Sequence, residues 1–284
     1  MPVAVKVKPN YESDNIISES LPPLETLPLL HGKTALVTGS TSGIGLGIAL
    51  SLGRQGANIV LNGLGDVEGP MAQVAALGVD VRYHGADVSQ PDEIAQLMTY
   101  VESEFGGTDI LVNNAGVQHT ASIEDFPVSE WDKIIAINLS AAFHTTRLAL
   151  PGMREKNWGR IINIASVHGL VASVHKAAYV AAKHGLIGLT KTTALETAKT
   201  GITANAICPG WVLTPLVQTQ IDARAASDGI SFDEAASLML KEKQPSGQFT
   251  TVEEIGAAAI YLASPATNNM RGIELVLDGG WTAQ

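Results

Sequence analysis

The feature that most constrains the fold is a regular alternation, from residue 31 onward, of short apolar runs with longer amphipathic runs. The runs of strand length are residues 34–38, 58–61, 79–83, 110–113, 160–164, 203–207 and 274–277. The runs of helix length are residues 43–55, 68–77, 91–105, a segment containing 131–148, then 178–198 and 251–262. Such alternation predicts an α/β fold, a doubly wound parallel sheet with helices on both faces. Ligands of such sheets bind at the carboxyl ends of the strands.

The composition favours one large domain, residues 31–284, in a chain of 284 residues of which 45% are hydrophobic. The net charge of -10 argues against nucleic acid or an anionic membrane as a partner, because both attract basic surfaces. The single cysteine, Cys208, excludes an internal disulfide, and no Cys/His cluster has the spacing of a metal site. No apolar run is long enough to span a bilayer. We therefore expect a soluble, cytoplasmic protein without a bound metal.

Two segments depart from the alternating pattern. Residues 1–30 contain five prolines among polar residues, which is typical of a mobile extension, although residues 27–30 are apolar enough to pack on the domain. Residues 211–249 are rich in Ala, Gln and Glu and contain no strand pattern. Their position after a strand end predicts a helical lid over the site. A static insertion is equally compatible with the sequence.

A glycine-rich turn joins the first strand to the first helix. It runs from Gly39 to Gly45 as Gly-Ser-Thr-Ser-Gly-Ile-Gly. Glycines let the backbone approach a pyrophosphate closely, and the amide hydrogens at a helix amino terminus suit anionic oxygens. Because this turn lies between a strand and a helix, it predicts a dinucleotide site.

The end of the second strand bears on which dinucleotide binds. Residues 61–66 read Leu-Asn-Gly-Leu-Gly-Asp and contain no Arg or Lys. A 2′-phosphate needs a cation, so NAD is favoured over NADP. The acidic residue expected here for the ribose hydroxyls is replaced by Asn62, and Asp66 comes slightly late. Asn62 or a backbone amide is the expected ribose ligand.

Tyr179 and Lys183 are four residues apart in the predicted helix 178–198. That spacing puts them one turn apart on one face, where an ammonium favours the phenolate and lowers the pKa of the phenol. A phenol tuned in this way can exchange a proton with a carbonyl or carbinol. The alternative is an ordinary surface pair.

Several motifs in register resemble the short-chain dehydrogenase/reductase family over about residues 32–284. They are Thr38-Gly-x-x-x-Gly-Ile-Gly45, Asp87, Asn113-Asn-Ala-Gly116, Asn138, Ser166, Tyr179-x-x-x-Lys183 and Pro209-Gly210. The resemblance implies a Rossmann fold and a bound nicotinamide dinucleotide. It also implies a homotetramer, which is common in the family. The implied cofactor-binding residues are Gly39, Thr41, Ser42, Gly43, Ile44, Gly45, Asn62, Leu64, Asp87, Val88, Asn114, Ala115, Gly116, Tyr179, Lys183, Pro209, Gly210, Val212 and Thr214.

The resemblance also implies four catalytic residues. Ser166 would hydrogen-bond the substrate oxygen, and Tyr179 would exchange its proton. Lys183 would lower the pKa of the tyrosine and bind the ribose, while Asn138 would hold a water of the proton relay. Taken singly, Ser166 also fits a loop cap and Asn138 a hydrogen-bonding residue of the core.

Further residues resemble those of family members that interconvert (R)-3-hydroxybutyrate and acetoacetate. By that resemblance the carboxylate of a small anionic 3-hydroxy acid would be held by Gln118, His168 and Lys176, with Gln220 reaching in from the lid. Trp211 and Trp281 would limit the alkyl pocket. The chemistry agrees, because a 3-hydroxy acid needs a cationic or hydrogen-bonding anchor beside the reacting carbinol. Each of these residues also has an ordinary structural alternative, as a loop histidine, a solvated lysine or core tryptophans.

Two other functions remain open from the sequence. An NADPH-dependent reductase of 3-oxoacyl thioesters would want a basic 2′-phosphate site and an open acyl channel, where this chain has Asn62 and Trp211. A non-catalytic dinucleotide-binding sensor would not need Ser166, Tyr179 and Lys183 together. We therefore expect an NAD-dependent oxidoreductase.

Overall fold

A computed structural model describes residues 28 to 283. Seven parallel strands form one sheet in the order β3-β2-β1-β4-β5-β6-β7. The strands are β1 (Thr34–Val37), β2 (Asn58–Asn62), β3 (Val81–His84), β4 (Ile110–Asn113), β5 (Gly159–Ile164), β6 (Ile202–Pro209) and β7 (Glu274–Leu277). The strand order reverses between β1 and β4, so the crevice expected to bind ligands opens at the carboxyl ends of these two strands. The predicted doubly wound sheet is confirmed.

Nine helices connect or flank these strands in the described part of the chain. They are α1 (Gly43–Arg54), α2 (Glu68–Ala75), α3 (Pro91–Phe105), α4 (Val128–Ile135), α5 (Ala141–Glu155), α6 (Ala177–Glu196), α7 (Pro215–Asp228), α8 (Phe232–Lys243) and α9 (Val252–Ala263). None of the helices within residues 28 to 283 is long and apolar enough to cross a membrane.

Alternate residues of the central strands enter different hydrophobic clusters. Ala35 and Val37 of β1 join one cluster with residues of α1 and α9, whereas Leu36 joins a second cluster with residues of α3 and α5. Successive side chains of a strand point to opposite faces of the sheet. Both faces are therefore buried under helices, which explains why these strands are continuously apolar rather than alternating.

The boundaries differ from the sequence prediction in a few places. The long helix around Trp131–Leu148 is interrupted by a π-helical turn, Ala136–Ser140, which separates α4 from α5. The third strand begins at Val81 rather than Val79. Leu30, which the predicted boundary put in the extension, is buried, and its backbone N–H donates to the carbonyl oxygen of Gln55. Residues 1–27 of the predicted extension lie outside the described residues.

The predicted lid segment 211–249 folds as the two helices α7 and α8. The hydroxyl of Thr214 caps α7, Gly229 ends it in the left-handed conformation at φ 67°, and the hydroxyl of Ser231 caps α8. Apolar residues of both helices form a small separate cluster that includes Val217, Ile221 and Met239. The segment is thus a folded unit over the sheet edge, and its motion stays a prediction.

Candidate active site

A cavity of about 430 Å³ opens at the carboxyl ends of the strands. Every residue that the sequence predicted for the site lines it, except Asn138. The predicted residues lie on the loop after β1 and the first turn of α1, on the ends of β2 and β6, and on the loops after β2, β3, β4, β5 and β6. Others lie on α6, on α7 and on the 3-10 turn Trp281–Ala283. The fold therefore brings together positions that are up to 242 residues apart, from Gly39 to Trp281.

The glycine-rich turn is held against the loop after β4 by two side chains. Asn114 Nδ2 donates to the carbonyl oxygens of Thr38, at 2.9 Å, and Gly39, at 2.8 Å. The Thr38 hydroxyl accepts from the backbone N–H of Asn114 and of Ala115. A Cβ on Gly45 would overlap the carbonyl oxygen of Gly39 and lie 2.5 Å from Asn114 Nδ2. The turn therefore has no room for a side chain at this position.

This turn fits the phosphates of a dinucleotide. It leads into the amino terminus of α1, whose first amide hydrogens have no partners within the helix. Ser42, the residue before α1, makes no capping hydrogen bond with its side chain, so its hydroxyl is not used by α1 and is available to a ligand as far as residues 28 to 283 show. Gly43 and Gly45 both line the cavity.

Side-chain hydroxyl groups fix the loop after β2 by donating hydrogen bonds to its backbone carbonyl oxygens. The Thr41 hydroxyl donates to the carbonyl oxygen of Leu64 at 2.7 Å, and the Tyr83 hydroxyl donates to that of Gly63 at 2.8 Å. Asn62 Nδ2 donates to the carbonyl oxygens of His84 and Ala86. Both amide hydrogens of Asn62 are therefore used to join β2 to the end of β3, which leaves its Oδ1 as the atom that can serve a ribose.

The end of the cavity lined by Asn62, Leu64 and Asp87 carries no basic side chain. Lys176 and Lys183 are the lysines that line the cavity within residues 28 to 283, and both belong to the opposite end. Asp66 follows Leu64 closely and accepts from the backbone N–H of Glu68, at the start of α2. The local charge of this end is therefore negative.

Ser166, Tyr179 and Lys183 meet at the other end, beyond β5. Ser166 is the second residue after the strand, and its hydroxyl accepts from the backbone N–H of His168 at 3.1 Å. On α6 the Nζ of Lys183 lies 5.5 Å from the ring centroid of Tyr179 and donates to the carbonyl oxygen of Ile164 at 2.7 Å. The predicted placement of the pair on one face of a helix is confirmed.

Burial dominates the pKa values of this pair. It raises the pKa of Tyr179 above its ordinary value, and the Ser166 hydroxyl acts weakly in the opposite direction. It lowers the pKa of Lys183 to about 8, because the buried ammonium loses solvation. The sequence predicted that Lys183 lowers the pKa of the phenol. The structure gives the opposite direction for the pKa of Tyr179, because the loss of solvation on burial dominates.

Asn138 lies outside the cavity, in the π-helical turn between α4 and α5. Its Oδ1 accepts from the backbone N–H of Val117, and its Nδ2 donates to the carbonyl oxygen of Val117, both at 2.9 Å. Asn138 therefore fixes the loop after β4, which lines the cavity through Val117 and Gln118. Its predicted water-holding role stays a prediction.

His168 and Lys176 lie next to the reacting pair. The His168 ring contacts the Tyr179 ring edge-on, with centroids 5.9 Å apart. Its Nδ1 is 3.5 Å from Ser166 Oγ, and its Nε2 is 2.9 Å from Ser173 Oγ. Burial, together with the charges of Lys176 and Lys243, lowers the pKa of His168 to about 4. The imidazole is therefore neutral at pH 7, and Lys176 is the cation of this group.

Two indoles form the wall beside Lys176. The Lys176 Nζ lies 5.2 Å from the Trp211 ring centroid, and the Trp211 and Trp281 centroids are 5.9 Å apart. Burial lowers the pKa of Lys176. Gln118 and Gln220 line the same cavity. This end can thus hold a small anion between one ammonium, two amides and a neutral imidazole, with apolar rings beside it.

Comparison with known proteins identifies the family. The family model described as short chain dehydrogenase matches residues 33 to 225, which is more than half of the chain. The chain belongs to the short-chain dehydrogenase family. The chain therefore belongs to a family of oxidoreductases that bind a nicotinamide dinucleotide, as the motifs predicted.

Two similar short-chain dehydrogenases carry the same name. A D-beta-hydroxybutyrate dehydrogenase of Cupriavidus necator is 64% identical over 258 residues, which is 90% of this chain and 100% of that protein. A D-beta-hydroxybutyrate dehydrogenase of Rhizobium meliloti is 55% identical over 256 residues, which is 89% of this chain and 99% of that protein.

Solved structures of more distant short-chain dehydrogenases share the fold. An actinorhodin polyketide ketoreductase with NADPH is 34% identical, with a TM-score of 0.84 over 89% of this chain and 98% of that chain. An L-sorbose reductase from Gluconobacter frateurii, complexed with NADPH and L-sorbose, is 30% identical, with a TM-score of 0.87 over 91% of this chain and 100% of that chain. Both of these structures were solved with NADPH, so the shared fold by itself does not favour NAD.

Sequence reasoning missed three residues that support the site. Ser173 binds the imidazole of His168, Gln244 Oε1 accepts from the backbone N–H of Trp211 at 2.8 Å, and Asp278 accepts from the backbone N–H of Gly280 and of Thr282. Asp278 thereby holds the turn that carries Trp281. Ser173 could have been suspected from the sequence, because it lies only three residues before the predicted site residue Lys176. Gln244 is separated from Trp211 by 33 residues, and no local pattern marks it.

Proposed function

We propose that the protein is an NAD-dependent oxidoreductase that interconverts (R)-3-hydroxybutyrate and acetoacetate. The observation that carries this proposal is the position of Lys176 in the same cavity as Ser166 and Tyr179, beside the paired indoles of Trp211 and Trp281. A 3-hydroxy acid has its carboxylate and its carbinol separated by one carbon, so one small cavity must offer both an anion anchor and a proton-transfer group. The two relatives named D-beta-hydroxybutyrate dehydrogenase support the same substrate.

The proton is exchanged by Tyr179. In the oxidation direction Ser166 donates a hydrogen bond to the substrate oxygen, and Tyr179 takes the hydroxyl proton after its own phenol has been deprotonated. Because burial raises the pKa of Tyr179, the phenolate is the minor form near pH 7. In the reduction direction the phenol returns the proton. Lys183, whose Nζ donates to the carbonyl oxygen of Ile164, would also bind the nicotinamide ribose and would supply a hydrogen-bond donor beside the tyrosine. Asn138, which fixes the loop after β4 through Val117, would hold a water of the proton relay.

The carboxylate is bound by Lys176 with Gln118, His168 and Gln220. The neutral imidazole of His168 contributes a hydrogen bond rather than a charge, because its pKa is about 4. Trp211 and Trp281 limit the space for the methyl group. A longer acyl chain or a thioester would have to displace these rings, which favours the short acid over the thioester.

NAD is the proposed cofactor. Its phosphates would lie against Gly43 to Gly45, its adenosine ribose against Asn62 and Leu64, and its nicotinamide side against Asn114, Ala115 and Gly116 on one wall and Pro209, Gly210, Val212 and Thr214 on the other. NAD, when bound, accepts the hydride of the carbinol or returns it. The absence of a cation beside Asn62 and Leu64 and the nearness of Asp66 disfavour a 2′-phosphate.

We further propose that the chain assembles as a homotetramer. This proposal rests on the family resemblance. Sedimentation equilibrium of the purified protein tests it, and a monomeric mass over the working concentration range would contradict it.

The test of the proposed activity is an absorbance assay of NADH formation. (R)- and (S)-3-hydroxybutyrate are each offered with NAD and with NADP, and a 3-oxoacyl thioester is offered with NADPH and NADH. We expect turnover of the (R) acid with NAD, and far less with the (S) acid or with NADP. Turnover of the thioester with NADPH alone would replace the proposal by a reductase, and no turnover at all would favour a dinucleotide-binding sensor.

The proton donor is tested by Tyr179→Phe. We expect turnover to fall by about a thousandfold, because general acid–base groups contribute roughly 10² to 10⁴. NADH binding, followed by its fluorescence, should stay near the wild-type value. Tyr261→Phe is the matched control, because Tyr261 is 43% exposed and lies outside the cavity. Substantial activity in Tyr179→Phe would exclude this tyrosine as the proton donor.

A further inference from the structure

A second chamber, of about 280 Å³, adjoins the site on its lid side. It shares Lys176, Trp211, Gln220 and Trp281 with the inner cavity. Its outer wall is built by α7 and α8, through Arg224, Glu242 and Lys243. The two cavities therefore meet at the paired indoles, and Lys176, the proposed carboxylate anchor, lines both of them.

The outer chamber is lined by more positive than negative side chains. Arg224 is neutralised by Glu242, at 2.7 Å, and by Asp228, at 3.3 Å. Within residues 28 to 283, neither Lys176 nor Lys243 has a carboxylate within the 4.0 Å of an ion pair. Two ammonium groups without an ion-pair partner among the described residues therefore face the chamber, in a chain whose net charge is -10.

Lys243 is near the inner site without lining it. Its Nζ lies 6.0 Å from the Trp281 ring centroid, and its charge helps to lower the pKa of His168. Lys176 has the equivalent position on the other indole, 5.2 Å from the Trp211 ring centroid. Lys243, which is exposed, therefore lies on one side of the two indoles, and Lys176, which is half-buried, lies on the other, inner side.

We propose that the outer chamber is a reception site for small monocarboxylates, and that Lys243 recruits the anionic substrate there before Lys176 anchors it. This inference rests on the proposed function, because it assumes that the substrate is an anion. An acidic protein repels anions over much of its surface. A local cation beside a cleft raises the anion concentration there and speeds association, and salt screens the effect. Lys243 is thus a recruiting residue that does not contact the reacting atoms.

The kinetic test compares Lys243→Glu and Lys243→Gln with Lys241→Glu. Lys241 lies on the same turn of α8, is exposed and lines neither cavity, so Lys241→Glu makes the same change in net charge. At about 20 mM salt we expect Lys243→Glu to lower kcat/KM for (R)-3-hydroxybutyrate about tenfold, with the difference largely gone at about 0.5 M salt. Lys243→Gln should be intermediate, Lys241→Glu near wild type, and kcat and the KM for NAD unchanged.

A binding test needs no turnover. Butyrate has the size and charge of the proposed substrate but lacks the hydroxyl, so it is not oxidised. Titrating it against the tryptophan fluorescence of the whole protein should give a saturable change in the wild type, because Trp211 and Trp281 line the chamber. We expect the Kd to be about tenfold higher in Lys243→Glu at low salt, and little changed in Lys241→Glu.

The outcomes separate the two proposals. A wild type that binds butyrate through Lys243 but does not oxidise 3-hydroxybutyrate keeps the reception site and removes the proposed activity. A Lys243→Glu variant that matches Lys241→Glu at low salt, or whose loss persists undiminished at high salt, overturns the recruiting role whatever the activity. A wild type without a saturable response to butyrate also overturns it.

Discussion

The two ends of the cavity are built in different ways. The cofactor end is formed mainly by backbone, with glycines at close approaches and side chains such as Thr41, Asn62 and Asn114 used to tie loops together. The substrate end is formed by side chains that come from separate segments, among them His168, Lys176, Trp211 and Trp281. Under the proposed function, the first end would recognise the cofactor through a fixed backbone shape, whereas the side chains of the second end would select the substrate. Substitutions should therefore fail differently at the two ends.

Gly45→Ala should break the backbone-built end. The added Cβ would overlap the Gly39 carbonyl and crowd Asn114 Nδ2, so the turn must open. We expect NADH affinity to fall by about 3 kcal/mol or more, about a hundredfold, as measured by NADH fluorescence titration.

The control for this change is Gly188→Ala. Gly188 lies in α6, where a Cβ would meet nothing within 4 Å. This variant should bind NADH normally and gain up to about 1 kcal/mol of stability from its better helix propensity. Equal NADH affinity in both variants would show that the glycine turn tolerates a side chain.

Lys176→Gln should affect the other end alone. Loss of a charge-assisted hydrogen bond of about 1.5 to 3 kcal/mol predicts a rise in the KM for the acid of roughly 10- to 100-fold. The KM for NAD should stay unchanged. Steady-state kinetics measure both, with Lys199→Gln on the exposed surface as control. An unchanged KM for the acid would remove the anchoring role.

The substrate end also carries a titratable group in its wall. Burial lowers the pKa of His168 from 6.5 to about 4. Because the unfolded state then binds more protons between these values, stability is fully present above pH 6.5 and is lost as the pH falls toward 4. We expect the free energy of unfolding in urea to drop by about 2 kcal/mol between pH 7 and pH 5 from this group.

Two histidine variants test whether His168 causes the loss of unfolding free energy at low pH. His168→Asn should remove most of the drop, whereas His31→Asn, at an exposed position, should keep it. If both variants lose stability on acidification as the wild type does, the histidine in the wall is not its source.

Leu64→Arg should have the smallest effect, because it adds a side chain at an exposed position, 78% accessible, without altering the backbone. We expect the preference for NAD over NADP to fall about five- to tenfold, as an exposed ion pair to the 2′-phosphate is worth about 1 kcal/mol. The ratio of kcat/KM values measures it, and Leu64→Gln, which adds no charge, should leave the ratio unchanged.

The sequence predicted the fold, and which residues line the site, better than it predicted the pKa values and hydrogen-bond partners of those residues. Strand and helix periodicity fixes which faces are buried, so the sheet and the helix carrying Tyr179 and Lys183 followed from local pattern. The raised pKa of Tyr179, the neutral His168 and the paired amide hydrogens of Asn62 depend on burial and on distant partners. Such properties arise from tertiary contacts, which no local spacing encodes. The π-helical turn at Ala136–Ser140 escaped prediction for the same reason, because its Asn138 is held by a loop.

The link from Asn62 to the end of β3 constrains how this protein can evolve. A carboxylate at this position would be the direct way to strengthen discrimination against a phosphorylated ribose. It would also replace Nδ2, which now donates to the carbonyl oxygens of His84 and Ala86, by a carboxylate oxygen that has no hydrogen to donate and repels both carbonyl oxygens. Asn62→Asp is reachable by a single-base change in the codon. It would strengthen the selection of the unphosphorylated ribose but would lose the hydrogen bonds that join β2 to the end of β3. Adaptation toward a different dinucleotide is expected to proceed through the neighbouring exposed loop instead.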